Sequence, residues 1–309
     1  MAKILKNINS QYLKFEQNEL GTSELMELPS INIDNEEYII IMSPGNPGII
    51  QIYQKFLESI YNLFNQKYKI FGLGYLGHSK IDLNRQKIYT VEDQIKNLEL
   101  FIEKLIRKYT RKVKIVLIGH SMGAYINLKV IGNRPDFPIV YSMNLCAVLC
   151  KFSLAMLMKI LSFPYLRRIS SFLISKTPEF LKSNLASFLL NVKSYDEIMT
   201  SIEYSNNFYF LENALCTSDN IQNILRNDIP SEISETIKKN NEKILFVHTL
   251  NDYYVTDDVF EYVKYALHFA NFVIIPEEEN VNHAFIKNEN YKKVTKICFE
   301  HLNRKVLNF

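Results

Sequence analysis

Residues 114–131 read KIVLIGHSMGAYINLKVI, and this stretch decides the predicted fold of the chain. An apolar, β-branched run from Val113 to Ile118 is typical of a strand that is buried on both faces. A Gly-x-Ser-x-Gly turn around Ser121 follows, and the apolar spacing after it indicates a helix that ends near Gly132. Strand, turn and helix in this order predict a nucleophile elbow. A plain turn between a core strand and a core helix is the alternative.

The chemistry of such an elbow explains its residue types. A serine on a tight turn projects its hydroxyl clear of the backbone, and Gly119 and Gly123 leave room for neighbouring elements to approach. The helix that begins there directs backbone N–H groups at a developing oxyanion. We therefore predict the backbone N–H of Met122 as one oxyanion donor.

Composition limits the class of protein. The chain has 309 residues, of which 47% are hydrophobic and 22% charged, as in an ordered globular protein. A net charge of +3 without a run of Lys or Arg argues against nucleic-acid binding. The four cysteines show no metal-ligand spacing and fit a reducing compartment. We expect no secretory signal in the first twenty residues, and no apolar run reaches the roughly 18 residues of a membrane-spanning helix.

Other apolar runs extend the elbow into a mainly parallel α/β sheet. Strands and helices alternate along the chain, and this order is typical of parallel sheets. An initial hairpin with Gly21 at its turn is expected at residues 12–28. The sequence thus predicts one α/β-hydrolase domain over residues 1–309. The predicted strands are residues 38–42, 69–73, 113–118, 139–149, 243–249 and 272–275.

A helical cap is predicted as an insertion at residues 150–235. Seven basic residues oppose only Glu179 between residues 145 and 193, and Leu, Phe and Met are abundant there. The cap could be a lid that lines the substrate pocket, or a surface that docks on anionic lipid, and the two interpretations are compatible. Apolar residues recur at helical spacing at Leu181, Leu185, Phe188, Leu189 and Val192.

The loop after the early strand has the sequence Ser-Pro-Gly-Asn-Pro-Gly at residues 43–48. In a serine hydrolase this loop supplies the second oxyanion N–H, and Asn46 is the predicted donor. Ordinary turn chemistry would also explain the Gly and Pro residues. His78 follows the next strand, and we interpret it as a structural residue.

An acid and a base are needed because a serine hydroxyl is a weak nucleophile until its proton is removed. His283 is predicted as the base, because it is the histidine in a loop after the final strand. Asp252 follows the strand at 243–249 and is predicted as the acid. Asp257 and Asp258 are rivals, although Asp in the first turn of a helix is ordinary capping chemistry.

Three blocks of sequence resemble the lipid droplet-associated serine hydrolase family of the α/β-hydrolase superfamily. The blocks are IMSPGNPGIIQIY from Ile41, KIVLIGHSMGAY from Lys114 and NHAFI from Asn282, and the similarity spans about Tyr38 to Leu302. The resemblance implies Ser121, Asp252 and His283 as nucleophile, acid and base. It also implies a membrane-embedding segment near the cap and a location on lipid droplets or the cytosolic face of the endoplasmic reticulum. The Asp252-Tyr253-Tyr254 turn departs from the family, in which a proline tends to follow the acid.

The leading functional hypothesis is hydrolysis of an apolar carboxylic ester or thioester through an acyl-enzyme, and the resemblance implies a lipid or sterol ester as the substrate. This chemistry requires no metal or organic cofactor. One alternative is a lipid-surface protein that organises or tethers droplets with little hydrolysis. Another is an acyltransferase that uses the same three residues. The oligomeric state stays open.

Overall fold

The computed structural model describes residues 13–31, 38–109, 113–151, 163–182, 200, 202–287 and 289–307. Several expectations fall outside these ranges. They concern the start of the first hairpin at Tyr12, the basic residues Lys159 and Lys193, and the helical spacing at Leu185, Phe188, Leu189 and Val192.

The described strands form one eight-stranded sheet. The strands are β1 (Leu13–Gln17), β2 (Thr22–Leu28), β3 (Tyr38–Ser43), β4 (Lys69–Leu73), β5 (Lys114–His120), β6 (Ile139–Leu145), β7 (Ile244–Thr249) and β8 (Asn271–Ile275). Their order in the sheet is β1-β2-β4-β3-β5-β6-β7-β8. The hairpin β1–β2 is antiparallel, and β2 pairs antiparallel with β4. All pairings from β4 to β8 in this order are parallel.

Helices cover both faces of the sheet. The described helices are α1 (Gln54–Leu63), α2 (Val91–Lys108), α3 (Met122–Asn133), α4 (Pro164–Lys176), α5 (Phe208–Ile224), α6 (Ser231–Lys239), α7 (Asp257–Ala266) and α8 (Tyr291–Leu302). Alternate side chains of each central strand supply the two cores. In β5, Ile115 and Leu117 belong to the core beneath α2, α3, α6 and α7. Val116 and Ile118 belong to the core beneath α1 and α8.

The predicted strand at residues 139–149 was too long, because β6 ends at Leu145. The next residue, Cys146, has a φ of 47°, which takes the chain out of the extended conformation. Val148 and Leu149 are nevertheless buried in the core. The apolar run is longer than the strand because Val148 and Leu149 are buried in an irregular segment that follows it.

The predicted insertion contains α4, α5 and the start of α6 among its described residues. Two asparagines tie α5 to the core: Asn213 Oδ1 accepts the N–H of Tyr89 at 2.8 Å, and Asn220 Oδ1 accepts that of Val91 at 2.9 Å. Just before α5, the buried Tyr204 hydroxyl donates to the Glu24 carboxylate of β2. In contrast, α4 exposes most of its apolar side chains.

No helix in the ranges given above combines the length and the apolar character that crossing a bilayer requires.

Candidate active site

Ser121 lies on a sharp turn between β5 and α3. Its φ of 53° and ψ of −117° are unusual for a non-glycine residue, as expected of an elbow that projects its side chain. A Cβ at Gly119 would lie 2.7 Å from the backbone N of Ala124. A Cβ at Gly123 would collide with the carbonyl oxygen of Ser43. The two glycines therefore permit the close approach of β5, α3 and β3 that the turn requires.

The structure brings His283 to the hydroxyl of Ser121. Nε2 of His283 lies 2.9 Å from Oγ of Ser121. Both residues are at the carboxyl edge of the parallel strands, although 162 positions separate them in the chain. The imidazole is 5% exposed, so protein rather than water surrounds it.

Asp252 completes the arrangement on the other side of the imidazole. Its Oδ2 lies 2.7 Å from Nδ1 of His283, and its Oδ1 accepts the N–H groups of Tyr254 at 2.8 Å and Val255 at 2.9 Å. Burial opposes ionisation, but the His283 ring and the two N–H groups outweigh it and hold the pKa of the Asp252 carboxyl below its ordinary value. A carboxylate at this position can fix the imidazole with its proton on Nδ1.

The loops that carry the acid and the base are joined to each other. Asn251 and Asn282 form an isolated parallel bridge, and the Thr249 hydroxyl donates to the carbonyl of Val281. The rivals Asp257 and Asp258 lie in the first turn of α7, where Asp258 accepts a hydrogen bond from Thr256. Both thus lie in the first helical turn, where the helix dipole favours a carboxylate.

The loop at residues 43–48 lies against the elbow. A Cβ at Gly45 would be 3.3 Å from Cβ of Ser121. Within this loop the N–H of Gly45 donates to Tyr53 and the N–H of Gly48 donates to His78. The prolines have no N–H, and among the hydrogen bonds of the described residues the N–H of Asn46 has no protein acceptor. It is therefore available to a ligand, as is the N–H of Met122 at the first position of α3, where no intrahelical acceptor exists.

Two hydrogen bonds with α5 hold the side chain of Asn46, and we call this contact the clasp. Nδ2 of Asn46 donates to the carbonyl of Ala214 at 2.9 Å, and its Oδ1 accepts the hydroxyl of Thr217 at 2.9 Å. Both partners belong to α5. Sequence analysis missed this clasp, because the asparagine lies in a turn where its residue type already has a local explanation.

His78 is placed as a structural residue. Its Nδ1 lies 2.9 Å from the N–H of Gly48, and burial lowers the pKa of the His78 imidazole to about 3. The ring is therefore neutral and can accept that hydrogen bond, which supports the loop at residues 43–48. It does not contact Ser121.

Two further residues were missed by sequence analysis. His120 precedes the nucleophile, and its ring is hydrogen-bonded to the Tyr53 hydroxyl on one side and the backbone carbonyl of His283 on the other. Tyr53 lies at helical spacing with apolar residues such as Phe56 and Leu57, a position that by itself indicates only core packing. A hydroxyl among otherwise apolar positions was the signal available for it.

One group of side chains beside the site has the composition of a metal site. His120, Cys146 and His283 are buried and offer ligand atoms within 4.8 Å of one another. All four imidazole nitrogens already have the protein partners described above. Burial also raises the pKa of the Cys146 thiol well above its ordinary value, which disfavours the thiolate that metals bind. We therefore assign no metal to this group.

Solved structures with the same architecture identify the fold. A carboxylesterase of the Thaumarchaeon Nitrososphaera gargenis aligns with a TM-score of 0.66 and 14% identity over 96% of this chain and 100% of its own. An α/β-hydrolase fold protein of Burkholderia ambifaria aligns with a TM-score of 0.64 and 10% identity over 94% and 98%. The fold is that of the α/β-hydrolases.

Sequence comparison identifies the family within this class. Residues 36–286 match the lipid-droplet associated hydrolase family. A lipid droplet-associated hydrolase of Dictyostelium discoideum is 31% identical over 258 residues, which cover 80% of this chain and 82% of the relative. The chain therefore belongs to the lipid-droplet associated hydrolase family, as its sequence blocks indicated, and is a hydrolase.

Proposed function

We propose that the protein is a serine hydrolase of apolar carboxylic esters, with a lipid or sterol ester as substrate, and that it works through an acyl-enzyme. The observation that carries the proposal is the continuous contact from Ser121 through His283 to Asp252, at 2.9 Å and 2.7 Å. These are hydrogen-bond distances in the orientation that activates a hydroxyl nucleophile.

In the proposed reaction, Oγ of Ser121 attacks the ester carbonyl carbon while Nε2 of His283 accepts the hydroxyl proton. His283 then gives this proton to the departing alcohol as the tetrahedral intermediate collapses to the acyl-enzyme. Water then attacks the acyl carbon with His283 again as the base, and His283 returns the proton to Oγ of Ser121 as the acyl–oxygen bond breaks and the acid product leaves. Asp252 keeps the imidazole oriented and stabilises its cationic form.

The negative charge on the substrate oxygen requires donors that are already in place. The N–H groups of Asn46 and Met122 meet this requirement, because one has no protein acceptor and the other begins α3. The positive end of the α3 dipole adds to the same effect. We assign these two N–H groups as the oxyanion hole.

An apolar substrate resides at a lipid surface, and the described part of the cap fits such a surface. Exposed apolar side chains lie along α4 and just beyond its end. The basic residues Arg168 and Lys176 belong to the same helix. An apolar face with interspersed basic residues favours binding to anionic lipid. We propose that α4 docks the enzyme on a lipid droplet or on the cytosolic face of the endoplasmic reticulum. The exposed residues are Phe163, Tyr165, Leu166, Ile169, Phe172, Leu173, Phe180 and Leu181.

A fluorophosphonate probe and an ester substrate test the catalytic proposal together. The wild type and Ser231→Ala, an exposed position at the start of α6, are expected to label and to hydrolyse equally. Ser121→Ala is expected to do neither. Persistent labelling of Ser121→Ala would assign the nucleophile elsewhere, and labelling of the wild type without turnover of any ester would favour the tethering alternative.

Docking is tested with a pair of matched substitutions. Tyr165 on α4 is 88% exposed and Tyr265 on α7 is 83% exposed, so aspartate at either position removes a similar exposed aromatic ring. Tyr165→Asp is expected to weaken co-flotation with vesicles that contain phosphatidylserine, whereas Tyr265→Asp is expected to bind as the wild type does. Equal binding of the two variants would contradict docking through α4.

A further inference from the structure

A buried chain of hydrogen bonds runs beneath the candidate nucleophile and joins the loop of Asn46 to the loop of His283. It begins at the N–H of Gly45, which donates to the Tyr53 hydroxyl oxygen at 2.8 Å. That hydroxyl lies 2.6 Å from Nδ1 of His120. Nε2 of His120 in turn lies 2.9 Å from the carbonyl oxygen of His283. The chain thus reaches from one functional loop to the other.

Its two ends fix the direction of every hydrogen bond between them. A backbone N–H can only donate and a carbonyl oxygen can only accept. Nε2 of His120 must therefore carry the ring proton and donate it to the carbonyl oxygen of His283 in a hydrogen bond. Nδ1 of His120 must then accept a hydrogen bond from the Tyr53 hydroxyl. Burial, aided by the nearby His283 ring, lowers the pKa of the His120 imidazole to about 3. The ring therefore keeps the lone pair that this direction requires at neutral pH.

Packing holds the His120 ring in place. The ring lies edge-on to Phe285 with centroids 5.0 Å apart, and Phe285 is in turn packed edge-on against Phe56 of α1. Gly45 also approaches the ring closely, because a Cβ at this residue would be only 3.0 Å from Nδ1 of His120. A displacement of this ring would therefore be passed to both loops.

We propose that His120 is a positioning residue that sets the oxyanion loop relative to the catalytic base, with Tyr53 as its link to that loop. This proposal rests on the proposed hydrolase function. His120 touches neither the substrate nor the reacting atoms, and it acts through the carbonyl of His283 and the N–H of Gly45. Transition-state stabilisation needs both loops at once, and a misplacement of about 1 Å can cost about 10²-fold in rate.

Two tyrosines close together in sequence provide the test and its control. Tyr53 and Tyr61 are both buried, and each donates its hydroxyl proton within the protein, Tyr61 to the carbonyl of Pro29. Tyr53→Phe is expected to lower kcat about 10- to 100-fold with KM within about twofold of wild type. Tyr61→Phe, which breaks a hydrogen bond outside this chain, is expected to leave kcat within about twofold. A similar kcat in both variants would overturn the proposal.

A double-mutant cycle shows whether the links form one chain. His120→Asn can keep an acceptor for Tyr53 but loses the donor to the His283 carbonyl. Because Tyr53→Phe breaks the same chain, the double variant is expected to lose less than the product of the two single losses. Losses that multiply fully would mean that the two residues act independently, contrary to the proposal.

The ring nitrogens of His120 give a readout that does not depend on turnover. Nitrogen-15 NMR of the wild type is expected to show the Nε2–H tautomer at pH 7 and no protonation down to pH 5. An active enzyme in which His120 has the Nδ1–H tautomer would overturn the proposed hydrogen-bond chain but not the proposed hydrolase function. An enzyme with the expected tautomer that hydrolyses no ester would overturn the proposed function and, with it, the positioning role of His120.

Discussion

Replacing Asp252 by asparagine changes one atom of the site while nearly preserving its shape. Oδ1 of Asp252 accepts the N–H groups of Tyr254 and Val255, at 2.8 Å and 2.9 Å. In the variant the amide oxygen must stay with these donors, because the opposite orientation would set N–H groups against one another. The amide NH₂ then faces Nδ1 of His283, where Oδ2 now lies at 2.7 Å.

A donor at that position forces the proton of His283 onto Nε2, so the imidazole cannot accept the proton of Ser121. The same exchange in a serine protease lowers kcat about 10⁴-fold, and we expect a similar loss here, about 5.5 kcal/mol of transition-state stabilisation. Initial rates with a p-nitrophenyl acyl ester measure it. Asp258→Asn, exposed in the first turn of α7, is the control and should be nearly neutral. A kcat for Asp252→Asn within tenfold of wild type would refute the role given to Asp252.

Three other perturbations test the surrounding structure. Gly123→Ala pushes a Cβ against the backbone carbonyl of Ser43 and is expected to destabilise the fold by about 1–3 kcal/mol, seen as a lower urea midpoint; an unchanged midpoint would contradict the packing argument. Thr217→Val removes the hydroxyl that donates to Asn46 at 2.9 Å and should lower kcat several-fold in the same ester assay, whereas an unaltered kcat would mean that the clasp does not position the loop. His78, with a pKa of about 3 in the fold and 6.5 in the unfolded chain, takes up a proton only on unfolding between these values. From this group alone, the free energy of unfolding should therefore fall by about 1.4 kcal/mol per pH unit at pH values well below 6.5 and above 3. His78→Gln should remove about 1 kcal/mol per pH unit from the pH dependence of the urea stability between pH 7 and 5, and an unchanged pH dependence would contradict a buried neutral His78.

Much of the fold was predictable because most strands are marked by short local patterns of apolar and turn-forming residues. The runs that became β3, β4 and β7 are apolar and bounded by turn residues, so their ends fell within one residue of expectation. The end of β6 was not predictable in this way. Cys146 turns the chain, while the apolar residues after it remain buried without belonging to a strand.

The candidate site also contains residues that were predictable from the sequence and contacts that were not. Ser121, Asp252 and His283 could be selected because each follows a predicted strand, and parallel strands bring such loops to one edge. The contacts of Asn46 with α5 and of His120 with Tyr53 could not be predicted. Each joins residues at least 67 positions apart, and no local pattern records such a tertiary contact.

The hydrogen bonds that fasten α5 to the body of the enzyme have a consequence for protein engineering. One way to exchange substrate specificity between members of this family would be to replace the whole segment between β6 and β7 with that of a relative. Such a graft would cut the contacts of Glu24, Asn46 and Tyr89 with the transplanted piece at once. A donor segment spliced in upstream of Tyr204 would leave them intact, so a chimera with its junction there should retain turnover while acquiring new surface preferences.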